Sequence, residues 1–232
     1  VYKMLGDGKT ETIFQFNTQS ATPFVKRIKP ESIEDLSVIT ALVRPGPLDY
    51  FLEDTGKNMA EEYIDRRQEK SVGKIPILNS MFPKTYGIIT FQEDISRICI
   101  ELGKIDPVEA ESIRESIGKK KIKQLLSYKP MFIKGAIETV SLKEAEIIWD
   151  MMVEFGKYGF NLSHSCSYVI ISYASAFLKF HYPLEWWSST IALTDTKEFN
   201  EELFKHVKDI LLPPDINMSN EDITIDYEQG KL

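Results

Sequence analysis

The chain has 232 residues, with 28 Lys and Arg against 35 Asp and Glu, a formal net charge of −7. That length allows one large or two small domains with a real core, and a 43% hydrophobic content excludes a chain that is disordered as a whole. No apolar run approaches membrane-spanning length and no secretory signal is visible; the two cysteines and three histidines lack metal-type spacing, so a cytoplasmic protein with reduced thiols is expected.

In chain order, residues 1–30 read as loop with short extended pieces such as Thr12 to Phe16. Ser32 with Asp35 three positions on resembles a capping box, opening a helix to about Val43 that Arg44-Pro45-Gly46-Pro47 stops. A helix is expected over Ala60–Arg67, and Tyr86–Phe91 is a short apolar run of extended type. From Gln92 the pattern turns helical. Glu93–Leu102 carries apolar residues at Ile95, Ile98, Cys99 and Leu102, and Gln92-Glu93-Asp94 reads mainly as an N-cap cluster. Asp106-Pro107 with Glu109 starts a further helix, expected to end at Gly118 as a C′ residue. The next is expected from Lys119, with Pro130 breaking it. Ser141 with Glu144 caps a helix through Phe155.

A glycine-bearing loop, residues 156–161, leads into a long helix starting near Ser163, with Ser163 as N-cap. Its expected buried stripe is Cys166, Val169, Ile170, Tyr173, Ala174, Phe177 and Leu178. His164, Tyr168, Ser172, Ser175 and Lys179 fall on the other face. Pro183–Leu193 and Lys197–Ile210 are further helices, the last capped by Asp195 with Glu198. Leu212-Pro213-Pro214-Asp215 ends the helical region, and the final ITIDYEQGKL reads as a strand without a return partner. Both ends look cut from something longer.

Charge is uneven. Between Arg114 and Lys134 lie seven cations (Arg114, Lys119, Lys120, Lys121, Lys123, Lys129, Lys134) and one anion, Glu115. Lysines behind a helix C-terminus commonly do no more than complement its dipole. Arg114, one turn before Gly118, adds a bidentate phosphate fork to those point charges, and a triphosphate needs several converging cations. At the long helix, Asn161 and Ser163 suit a turn and a cap. His164 and Tyr168, four apart, are surplus to that role; an imidazole and a phenol there can stack on a base or donate to a phosphate. Arg44, between a helix end and two prolines, reads either as an exposed arginine in a helix-terminating turn or as a preorganised cation. Glu109/Glu111 and Glu144/Glu146 are spaced to fall on different helix faces. No phosphate-loop or dinucleotide fingerprint, no catalytic triad pattern and no Asp-x-Asp pair occurs.

The ordered runs GDGKTETIFQF, RIKPESIEDLSVITALVRPGPLD, KTYGIITFQEDI, IRESIGKKK, FGKYGFNLSHSCSYVIISYASAFLKFHYPLEW and LLPPDIN together resemble the C-family bacterial replicative DNA polymerases, the alpha subunit of DNA polymerase III, from about Gly8 to Asn217. The resemblance implies a mainly α fold: a multi-helix fingers domain with a few short strands near the N-terminus and at the C-terminal edge. It implies a palm end and palm–fingers junction over residues 1–50, fingers over 51–211, and the start of a DNA-binding region over 212–232. It further implies that Arg44, Arg114, Lys119, Lys120 and Lys121 meet the triphosphate, and that Gly159, Asn161, Ser163, His164 and Tyr168 line the pocket for the incoming nucleotide and nascent base pair. The catalytic aspartates, with their Mg²⁺, are expected in the palm upstream of Val1, so no catalytic residue is expected here. Implied partners are deoxynucleoside triphosphates, primer-template DNA, the rest of the polymerase chain and, through other regions, a sliding clamp and replisome subunits; no membrane is implied. Two departures stand out. Glu115 occupies the place of the family's second adjacent arginine, and Pro130 falls where the family continues a helix. The alternative from the residues alone is a non-catalytic helical nucleic-acid-binding or replication-scaffold module; a helix-turn-helix regulator fits less well, for want of a short basic recognition helix.

Overall fold

The computed structural model describes residues 1–49, 51–52, 55–119, 121–156, 159–194, 201–211 and 223–232. In chain order its helices are α1 (Tyr2–Gly6), α2 (Ala21–Ile28), α3 (Ile33–Leu42), α4 (Pro45–Asp49), α5 (Met59–Glu69), α6 (Pro76–Met81), α7 (Gln92–Glu101), α8 (Pro107–Gly118), α9 (Ile122–Ala136), α10 (Leu142–Gly156), α11 (Leu162–His181), α12 (Pro183–Leu193) and α13 (Glu201–Val207).

Local capping decides several of the starts. Ser32 Oγ accepts the Asp35 N–H at 3.1 Å, Asp106 Oδ1 the Val108 N–H at 2.9 Å, and Ser141 Oγ the Glu144 N–H at 3.3 Å while Glu144 reaches back to the Ser141 N–H at 3.0 Å. Each bond serves a donor left over at a helix start. At α7, Asp94 alone caps, accepting the Thr90 and Phe91 N–H groups at 2.8 Å each.

The mainly helical fold stands; the expected strands do not. Among the described residues, β pairing amounts to isolated bridges, Phe51 with Asn58, Phe91 with Phe160 and Asp226 with Lys231. Thr12 to Phe16 is a run of turns, because Thr12 and Gln15 take φ of 63° and 66°, which no extended run permits. It lies between α1 and α2, neither of which is expected from the sequence. The C-terminal piece folds back on itself: Asp226 and Lys231 exchange backbone bonds at 2.9 and 3.0 Å around a turn.

Helix boundaries bring further corrections. Gly118 is the last helical residue of α8, and Lys119 (φ −86°, ψ 3°) caps it without a left-handed turn. The following helix starts at Ile122 rather than Lys119, and it runs unbroken through Pro130. Phe132 and Ala136, two and six residues further on, are fully buried, and α9 packs between α8 and α10, so tertiary contact outweighs the missing N–H. The Lys197–Ile210 expectation survives as the shorter α13; Asp195, Glu198 and residues 212–215 lie outside the described residues.

One buried cluster extends from Met4 in α1 to Ala176 in α11, with Phe16, Leu36, Tyr63, Ile98, Phe132 and Phe155 among its large members. Two packing groups position the site. α7, α8, α9 and α10 pack successively, and α3 lies along α11.

The face of α11 that goes inward is rotated from the expected one: Val169 is buried as expected and Cys166 and Tyr173 are half-buried, but the rest of the seam differs. Ser165, Val169, Ser172, Ala176 and Lys179 are buried, whereas Ile170, Phe177 and Leu178 remain 63%, 39% and 47% exposed. The buried positions fall at a three-four spacing, and their small side chains admit α3 closely. Ser37 Oγ donates to Ser165 Oγ at 2.8 Å, Ser165 Oγ donates to the Ser37 carbonyl at 3.0 Å, and Ser172 Oγ turns back to the Tyr168 carbonyl at 3.0 Å. With every hydroxyl satisfied, the polar face costs little to bury.

Candidate functional site

The expected site residues among those described fall in three parts of the molecule. The first is a cavity of about 280 Å³ where α3 and α11 meet the 15–21 segment; Arg44, Phe160, His164 and Tyr168 line it together with Gln15, Phe16 and Thr18. Arg44 follows the end of α3, its Nε donating to the Ala41 carbonyl at 3.2 Å, and its guanidinium lies 4.1 Å from the Phe160 ring centre. Half-burial pulls the Arg44 pKa below the ordinary guanidinium value, yet a guanidinium starting so high keeps its charge. Phe160 meets the His164 ring edge-on at 5.2 Å, His164 meets Tyr168 at 4.1 Å, and Tyr168 meets Phe14 at 5.2 Å. A cation and a chain of aromatic rings around one opening can offer an anion a charge and a planar group a stacking surface.

The second part is the junction between α7, α8 and the loop before α11. Arg114, on α8, grips Glu111 with two bonds from Nε at 2.9 Å and donates from Nη1 to Gln92 Oε1 at 2.7 Å. Gln92 passes the connection on, its Nε2 donating to the Gly159 carbonyl at 2.9 Å. Glu111 is pulled below its usual pKa by the Arg114 bond. Gly159 sits so close to Gln92 that a Cβ there would come within 2.9 Å of Gln92 Cγ. Arg114 therefore reaches the loop before α11 through one glutamine, although it does not line the Arg44 cavity.

The α11 N-terminus is already served by side chains. Asn161, and not Ser163, is the N-cap, accepting the His164 N–H at 2.9 Å, while Ser163 Oγ donates to Asn161 Oδ1 at 2.5 Å. The Glu93 carboxylate accepts from Asn161 Nδ2 at 2.7 Å and from the Leu162 N–H at 2.9 Å. The sequence marks Gln92 and Glu93 only as residues of a helix start, since nothing local says that they reach a loop almost seventy positions away.

The lysines sit past the end of α8. Lys119 is exposed and pairs with Glu115, whose carboxyl the lysine holds below its usual pKa; the departure at position 115 is thus matched by a neighbouring cation. Lys121 is exposed as N-cap of α9, its N–H donating to the Ser116 carbonyl at 2.9 Å. Lys120 lies outside the described residues, as do Lys157 and Tyr158 of the loop. Among the described residues, no group of three or more His, Cys, Asp or Glu side chains is arranged to hold a metal ion, and no helix is long and apolar enough to cross a membrane.

Comparison with known proteins agrees with the resemblance. Three relatives, each called DNA polymerase III subunit alpha, illustrate it. The one from Aquifex aeolicus is 38% identical over 237 residues, covering 98% of this chain and 20% of the relative. The one from Thermus aquaticus is 28% identical over 98% of this chain and 19% of the relative, and the one from Pasteurella multocida 31% identical over 100% and 20%. The chain therefore spans about a fifth of the length of the curated relatives it matches. Residues 1–140 match the model of the bacterial DNA polymerase III alpha subunit finger domain, and on that match the chain belongs to this family.

Proposed function

We propose that this chain is the fingers part of a replicative DNA polymerase and that it binds the incoming deoxynucleoside triphosphate and the nascent base pair. Family membership supports the polymerase assignment. The convergence of Arg44, Phe160, His164 and Tyr168 on one cavity is the observation that carries the finer reading. In it, Arg44, Arg114, Lys119, Lys120 and Lys121 supply charge to the triphosphate, and Gly159, Asn161, Ser163, His164 and Tyr168 face the nucleotide and the pair it forms.

The chemistry asked of these residues is positioning and charge compensation. Cations held in place before the reaction offset the charge of the triphosphate, and an oriented triphosphate presents its α-phosphorus in line with the primer hydroxyl. Aromatic faces beside Arg44 suit the flat nucleoside end. The Mg²⁺ ions that such transfer uses would be held by carboxylates of the palm, as the family resemblance implies, and would offset charge on the triphosphate there.

Replacing Arg114 by Ala in the full-length polymerase tests the reading. Loss of the charge, and of its hold on Gln92 and the Gly159 carbonyl, is expected to raise KM for nucleotide and to lower kcat, a combined effect of about tenfold or more in kcat/KM, equivalent to about 1.4 kcal/mol or more. Unchanged steady-state kinetics would remove Arg114 from the site. Titration with a deoxynucleoside triphosphate against plain duplex DNA separates this reading from a scaffold module; preference for duplex with a steep salt dependence favours the scaffold.

A further inference from the structure

Lys179 is a buried cation that the proposed site does not use. It occupies the inward seam of α11 at 7% exposure, where an apolar residue would pack without the cost of burying an ammonium. Its bonds all go to one short segment. Nζ donates to the Glu11 carbonyl at 2.7 Å, to the Lys9 carbonyl at 3.3 Å and to the Glu11 carboxylate at 3.1 Å, with the Trp187 ring centre at 5.2 Å. A second bond from the same corner reaches the next residue, Trp186 Nε1 donating to Thr12 Oγ1 at 3.0 Å.

The segment so held is strained. Thr12 and Gln15 are not glycines, yet both lie in the left-handed region, Thr12 with a branched side chain. Such conformations persist where neighbours over-determine them. The far end of the same segment forms a wall of the Arg44 cavity through Gln15, Phe16 and Thr18, and Phe14 meets Tyr168. Lys179 itself cannot reach that cavity. It stands 15 residues beyond His164 on one helix, about 22 Å away at ~1.5 Å per residue.

We propose that Lys179 is a positioning residue: by fastening residues 9–12 to the α11–α12 corner it sets the 12–18 wall of the cavity that faces the nucleotide. The proposal rests on the reading of that cavity given above.

The test uses the full-length polymerase with two variants. Lys179→Met keeps the stem and removes the ammonium; Trp186→Phe keeps an aromatic ring and removes the N–H. Amide hydrogen exchange over residues 10–18 is expected to rise about tenfold with α3 and α8 unchanged, and KM for nucleotide to rise about fivefold with kcat within about twofold. Lys179→Arg should restore most of both. Unchanged exchange at 10–18 overturns the proposal. So does a loosened segment with an unchanged KM, provided that Arg44→Ala raises KM. If Arg44→Ala also leaves KM alone, the failure lies in the reading of the cavity, and the proposal falls with it. Should Lys179→Met fail to fold, Trp186→Phe carries the same comparison.

Discussion

The Glu93 carboxylate on α7 takes the Asn161 side-chain amide at 2.7 Å, across 68 residues of sequence, and with its second oxygen takes the first free N–H of α11 at 2.9 Å. Two helices far apart in the chain are thereby tied end to end at the loop that also receives Arg114 through Gln92. An incoming anion finds the α11 start already neutralised by a carboxylate. In the proposed site the phosphates therefore rely on side-chain cations, and the helix start serves to orient Asn161, Ser163 and His164.

That tie has a measurable worth. Glu93→Ala leaves the Leu162 N–H and the Asn161 amide to water, and the exposure of this corner keeps the loss modest, about 1–2 kcal/mol. A lower urea midpoint with an unchanged slope is the expected reading; an unchanged midpoint would show that solvent serves these groups equally well.

Pro130 is the ninth residue of α9 and is exposed, so its ring contributes little to the core while it withholds an N–H from the Leu126 carbonyl. Pro130→Ala restores that donor. Helix propensity favours the change by about 3 kcal/mol, and the greater freedom of the unfolded chain opposes it by about 0.4–1 kcal/mol. The melting temperature is expected to rise; a fall would show that the ring packs in a way its exposure does not suggest.

The two thiols should differ sharply. Burial pushes Cys99 up to about 12, and its side chain has no exposed surface. Cys166 is half-buried on α11, 3.9 Å from Ser37 Oγ. A thiol reagent at neutral pH is expected to modify one cysteine, Cys166, in the native protein, and the second only after unfolding. Two fast thiols would mean that α7 opens readily in solution.

At three helix starts the capping is wholly local, and there the sequence was a sufficient guide. Ser32, Asp106 and Ser141 each bond an N–H two or three residues ahead, so a four-residue window contains the whole interaction. Pro183 opens α12 for the same reason, its ring presetting the first turn. The family resemblance was likewise carried by ordered runs of residues and needed no coordinates. Pro130 shows the limit of local rules: the proline penalty is real, but Phe132 and Ala136 bury against neighbours no window includes.

The inward face of α11 is the plainest case of what sequence left open. Its apolar residues and its serines both recur at helical spacing, and hydropathy alone prefers to bury Ile170, Phe177 and Leu178. Tertiary structure chose Ser165, Ser172 and Lys179, because α3 approaches closely only over small side chains, and because partners from Ser37, Tyr168 and Glu11 satisfy every buried polar group. The same holds for Arg114, whose charge was evident from the chain while its connection through Gln92 to Gly159 was not. Amino-acid order determined most of the helices, the caps at Ser32, Asp106 and Ser141, and the kinship; which faces meet, and which cation reaches which loop, depended on contacts between residues scores of positions apart, whose energies no local pattern encodes.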